Sequence, residues 1–205
     1  MVEFAKCNAC HDGSGAGLAF HGNNRVNEAV SCAKCHNADA TDIGRRPADP
    51  SETPDGKREE SIDFKRIIHG IHTGEDLTQG LVLYGFVGPA DFSSVGFVGN
   101  SANCLTCHRP GTYSTEDAAA TLSSTIDTGS VVTDPSDDLN ISRITSVCSS
   151  CHDDAVATQH MVQNGGSFMA LDQNIHAVPE PAAGALTLAI WGALGALGVR
   201  HRRRR

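Results

Sequence analysis

Four short stretches of this chain combine two cysteines and a histidine at one fixed spacing: CNACH at 7–11, CAKCH at 32–36, CLTCH at 104–108 and CSSCH at 148–152. All eight cysteines fall inside these units: Cys7, Cys10, Cys32, Cys35, Cys104, Cys107, Cys148 and Cys151. CxxCH is the attachment site of a c-type haem. The two thiols add across the haem vinyl groups, and the adjacent imidazole becomes a proximal ligand of the iron. The spacing matters because both thioethers and the imidazole must reach one macrocycle from a single helical turn. His11, His36, His108 and His152 are then the proximal ligands. A redox CxxC, a zinc site made from two CxxC pairs and an extracellular disulfide framework are the competing readings. None of them explains a histidine behind every pair.

Six more histidines lie outside the motifs. His201 stands among arginines, and His176 lies three residues before a Pro-rich junction. His21, His69, His72 and His160 remain, four distal candidates for four irons. His69 and His72 are three apart, about 60° around a helix, so one element can serve two haems. Gly70 between them leaves room for a haem to approach. Iron held by two histidines has no open position, which favours electron transfer. A multihaem reductase of a small nitrogen or sulfur oxyanion is the alternative, and it needs one open iron. Methionine ligation is a poor fit, with three methionines in the chain.

The elements that must position these groups are modest. The chain has 205 residues, 21 glycines and 5% aromatics, a thin apolar supply that four covalent haems would supplement. The motifs recur at intervals of 25, 72 and 44 residues, too irregular for a solenoid. In SIDFKRIIHGIHTG (61–74), Ser61 predicts a helix N-cap and Gly74 a C-terminal stop. Residues 47–60 read as a loop, 75–103 as weak extended segments, and 113–147 as mostly loop ending in a short helix. The expected fold class is mainly coil with short α-helices wrapped around covalent haems, with little β and one C-terminal transmembrane helix. The net charge of −8 argues against nucleic acid as a partner.

The chain resembles one haem-bearing half of the outer-membrane decahaem cytochromes of metal-reducing bacteria, the OmcA/MtrC family. KCNACHDGSGAGLAFHGNNR, IDFKRIIHGIHTGED, FVGNSANCLTCHRPGTYS and CSSCHDDAVATQHMVQNGGSFM carry that resemblance over about residues 4–170. It implies a stacked haem wire that hands electrons to redox proteins or extracellular acceptors, and it supports His21, His69, His72 and His160 as distal ligands. The fifth CxxCH usual after NGGSF in that family is absent here.

Residues 1–176 thus form a tetrahaem module and 177–205 a tail. The tail runs Pro179-Glu180-Pro181, then 18 uncharged residues (182–199), then Arg200 and Arg202–Arg205. As a helix the uncharged run spans about 27 Å, enough to cross a bilayer, with the arginines on the cytoplasmic side. The order resembles a PEP-CTERM sorting signal, which implies an exosortase partner and at least transient residence in the inner membrane. An ordinary tail anchor is the competing reading. The haem module is then exported, on the periplasmic side or sorted to the cell surface. MVEFAK carries no apolar signal segment, so the reading expects a truncated start or missing upstream domains.

Overall fold

The computed structural model describes residues 2–12, 18–21, 25–26, 29–113 and 121–168. Its α-helices are short: α1 (Phe4–His11), α2 (Ala29–Ala33), α3 (Phe64–His72), α4 (Arg143–Cys148) and α5 (Ala155–Gln163). Strands β1 (Ala19–Phe20) and β2 (Arg25–Val26), β3 (Val82–Gly85) and β4 (Gly88–Asp91), and β5 (Ser124–Asp127) and β6 (Leu139–Ile141) pair into three separate antiparallel two-stranded sheets.

α3 is the central element. It starts at Phe64 because the Asp63 side chain accepts a hydrogen bond from the Lys65 amide. The Ser124 hydroxyl holds Asp63 from β5 at 2.7 Å. The expected cap, Ser61, is buried instead in a bridge to Thr41. The helix ends at His72, and Gly74 opens a 3₁₀ turn (Gly74–Asp76) rather than stopping the helix itself. Ile67 packs on Leu81 and Leu83, with Ile62, Ile68, Ile71, Leu77 and Phe92 around them. Gly70 faces Leu81 and the Ser150 carbonyl, so the space it frees receives protein.

Apolar burial is sparse among the described residues, limited to Ile67, Leu81, Val82, Leu83, Tyr84, Ile141 and Met161. Polar groups fill much of the interior, and most of them are paired, as is usual for buried polar groups. Arg46 is the largest case. Its guanidinium bonds Asp42 at 2.8 Å, both oxygens of Asp55 at 2.7 and 3.0 Å, the Lys57 carbonyl at 3.1 Å and the Val82 carbonyl at 2.7 Å. This joins the 42–57 segment to β3.

The structure corrects the expected fold class. Strand is confined among the described residues to three short antiparallel pairs, in keeping with the little β expected, so the correction concerns the place of two strands and the membrane helix. β5 and β6 lie in a Ser/Thr/Asp-rich stretch read as loop, and their pairing is stabilised by buried polar contacts such as Thr125 to Asn140 at 3.0 Å. The expected transmembrane helix is not found: no helix among the described residues is long and apolar enough to cross a membrane. Residues 182–199, the Pro-Glu-Pro at 179–181, the terminal arginines, His176 and His201 lie outside the described residues.

Candidate haem-binding site

The four CxxCH units share one backbone turn. Cys7 to His11 lie within α1. In the second, third and fourth units the histidine amide bonds the carbonyl of the first cysteine, at 2.9, 2.8 and 3.0 Å for His36, His108 and His152. The amide of the second cysteine bonds the same carbonyl at 3.1, 3.2 and 3.2 Å. All eight cysteines are free thiols, so this structure contains no disulfide framework. Burial raises the pKa of Cys7, Cys32, Cys107, Cys148 and Cys151, with nearby thiols adding to it for most of them.

α3 gathers the units around itself. The His36 carbonyl accepts from the Phe64 amide at 3.0 Å, which docks the second unit at the start of the helix. The first and third units pack together: Lys6 Nζ donates to the Leu105 and His108 carbonyls, each at 2.7 Å, and the Glu3 amide to the Cys107 carbonyl at 3.1 Å. The fourth unit joins through Arg66, which donates to the Ser146 carbonyl and the Ser149 hydroxyl, and through Thr73, which donates to the Ser150 carbonyl.

This packing brings motif and non-motif histidines close together. His11 and His72 have ring centroids 5.9 Å apart, His21 and His36 6.0 Å, and His69 and His108 6.1 Å. Each pair takes one histidine from a CxxCH unit and one from outside. An imidazole nitrogen bonds a transition metal at about 2 Å, and the ring centre lies roughly 1 Å farther on. Two imidazoles on opposite faces of one iron therefore have centroids about 6 Å apart. The spacing of all three pairs fits a bis-histidine haem iron. His152 and His160 make no such ring pair. Both are exposed, and His152 precedes the Asp154 N-cap of α5, so helical phase does not relate it to His160.

Nitrogen chemistry points the same way. His36 Nδ1 donates to the Ile62 carbonyl at 2.8 Å, and His72 Nδ1 to the Ile68 carbonyl at 2.7 Å. A carbonyl only accepts, so Nδ1 carries the proton and Nε2 keeps the lone pair a metal needs. Nδ1 of His69 and of His108 is buried without a partner. Burial, reinforced by His108, holds His69 below its ordinary pKa, and burial with Lys6 nearby does so for His108. A lowered pKa favours the neutral form, in which a ring nitrogen has a lone pair for a metal. His21 adopts φ 53°, the left-handed region, uncommon for a residue with a Cβ.

A zinc centre would need more donors at one point. Among the described residues no three His, Cys, Asp or Glu side chains are grouped to hold a metal ion. The residues fit covalent haem: a cysteine pair and one histidine per motif, with facing imidazoles in three of the four.

Three aromatic neighbours escaped the sequence reading. Phe97 stands edge-on to His72 at 5.9 Å, Phe86 to His21 at 5.6 Å and Tyr113 to His108 at 6.0 Å. Arg45 stacks over Phe86 at 4.0 Å. Their rarity in a chain with 5% aromatics was the available signal.

The sequence profile described as "Outer membrane cytochrome MtrC/MtrF-like, domains II/IV" matches residues 1–181. No curated protein matches the chain significantly.

Proposed function

We propose, since the chain belongs to the MtrC/MtrF-like outer membrane cytochrome family, that it is an electron-carrying module holding four covalent c-type haems. Membership makes it a multihaem cytochrome of a class that works in electron transfer at the outer membrane or cell surface. The count of four and the ligand set are our reading. The observation that carries it is the set of three proximal–distal imidazole pairs at about 6 Å. We assign His72 opposite His11, His21 opposite His36 and His69 opposite His108. His152 is left with His160. Bound haem supplies a one-electron Fe(III)/Fe(II) couple. The cysteines would fix each group covalently, the paired histidines would hold its iron, and the Ile62 and Ile68 carbonyls orient two of those rings.

The partners are redox proteins or extracellular acceptors. The Pro-Glu-Pro, the uncharged segment and the arginines support a PEP-CTERM sorting signal read by an exosortase, which would pass the module 1–176 outward from the inner membrane. The ends of the matured chain, read by mass spectrometry in a host with an exosortase, test this. A mature protein still carrying Arg205 overturns the sorting reading.

One observation favours a second reading. His152 and His160 are not paired, so that iron is the candidate open site of a multihaem reductase. The test is expression with a c-type maturation system, followed by intact mass and carbon monoxide binding to the reduced protein. Four added haems and no carbon monoxide adduct are expected. Fewer than four added haems overturns the tetrahaem reading. A rapid adduct at one iron transfers the assignment to the reductase.

A further inference from the structure

We propose that the iron between His11 and His72 differs from its neighbours because its two axial rings are crossed, and that Phe97 is the positioning residue that keeps them so. The proposal rests on the haem reading above. The His11 and His72 planes lie at 83°, whereas His21 and His36 lie at 18° and His69 and His108 at 4°.

The angle has electronic content. An imidazole donates its π density into only one of the two dπ orbitals of the iron, the one lying perpendicular to the ring. Parallel rings both raise the same orbital and split the pair. Crossed rings raise one orbital each and leave the pair nearly equal. A near-equal pair retains orbital angular momentum in oxidised low-spin iron, which appears as a single large g value. A split pair gives a rhombic signal. The electron that converts Fe(III) to Fe(II) enters the upper orbital of the pair. His11 and His72 keep that orbital lower by being crossed, so relaxing the angle should lower the reduction potential of this centre. Ligand orientation is thus a lever that the protein applies at one site.

Phe97 is built into that lever. His11 is exposed at the end of α1, while His72 is half-buried and held at Nδ1 by Ile68. A second restraint on the His72 ring is the edge contact with Phe97, at 70°. Two glycines let the Phe97 segment reach it. A Cβ on Gly74 would stand 1.9 Å from the Phe92 carbonyl oxygen, and one on Gly96 would stand 2.2 Å from the Glu75 carboxylate. The Glu75 amide bonds the Val95 carbonyl at 3.0 Å. Phe97 is therefore pinned to the turn that directly follows His72.

The test is electron paramagnetic resonance of the oxidised, fully haem-loaded chain, with spins quantified. A large-g signal worth at least one iron per chain is expected. Phe97→Ala should move one iron per chain from that signal to a rhombic one and lower the potential of one centre. Phe97→Tyr should restore the wild-type spectrum. Phe86→Ala, at the near-parallel His21 pair, should leave the large-g signal alone. Haem mass and low-spin optical bands are followed in every variant. A wild-type chain with four low-spin haems and only rhombic signals overturns the proposal while the haem reading stands. An unchanged large-g signal in Phe97→Ala overturns the role of Phe97. Fewer than four haems, or more than one high-spin iron per chain, in the wild type overturns the haem reading, and the proposal with it.

Discussion

Arg46 should be the most costly charged residue to remove. Its side chain and that of Asp42 are fully buried, and Asp55 is 7% exposed. Burial alone would push the Arg46 pKa down, but hydrogen bonds and charge from Asp55 and Asp42 hold it above its ordinary value. Arg46→Met keeps much of the volume and strands two carboxylates. Asp42 would retain amide bonds from Glu60 and Tyr84, at 2.7 and 2.9 Å. Asp55 would retain the Lys57 amide at 3.2 Å, the neighbouring Thr53 side chain and its small exposure. Breaking a buried pair from one side costs about 3–5 kcal/mol. The amides left to Asp42 argue for the middle of that range, about 4 kcal/mol. With a urea m-value of about 2–3 kcal/mol/M, the midpoint of the haem-loaded chain should fall by roughly 1.3–2 M. Neutralising the stranded acids as well, in Arg46→Met with Asp42→Asn and Asp55→Asn, should recover most of the loss, because an uncharged replacement of a whole buried ion set is near neutral. A single variant that loses less than about 1 kcal/mol would refute the stranded-charge argument. So would a triple variant no better than the single, since the loss would then be packing.

Gly74→Ala should destabilise the fold strongly, since its Cβ would meet a backbone oxygen at 1.9 Å, whereas Gly70→Ala meets the mobile end of Leu81 at 3.0 Å. Overpacking of about 1–3 kcal/mol is expected for the former and less for the latter, read from urea midpoints. Asp138 is buried with Oδ1 unpartnered, and burial together with Asp137, Asp39 and Glu59 raises its pKa. A raised folded-state pKa gives stability that is greatest below the ordinary carboxyl value and is lost as pH rises through the raised one. Asp138→Asn should therefore flatten that part of the stability–pH curve and raise stability at neutral pH. A variant less stable than wild type at neutral pH would count against it.

The chemistry of the motifs was legible because covalent attachment needs cysteines and histidine within five consecutive residues. The turn that results is local and recurs in all four units. Which ring faces which was not legible. It depends on α3 lying against the paired first and third units, and contacts far apart in sequence hold this arrangement, such as Lys6 to Leu105 and Arg66 to Ser149. The helix start was misread at Ser61 because a serine before an apolar run resembles a cap. The cap is Asp63, fixed by Ser124 from a strand sixty-one residues away. β5 and β6 were missed because their inward residues are polar. Ser124, Thr125 and Asn140 are buried and paired, so no apolar alternation marks them.

α3 then explains why a small apolar core is sufficient. The helix offers Ile67 to Leu81 and Leu83 on one side, and its two histidines lie about 60° apart. His69 meets the third unit in parallel, and His72 meets the first unit crosswise. One nine-residue helix thus sets the spacing of two histidine pairs and the difference in their ring angles. The carbonyls that orient the rings belong to the same stretch: Ile62 directly before the Asp63 cap, and Ile68 within the helix, four residues before His72. The sequence IDFKRIIHGIH therefore carries the core contact, the helix cap, two of the proposed ligands and two orienting carbonyls. A change that shifts α3 along its axis would disturb three of the four motif histidines together.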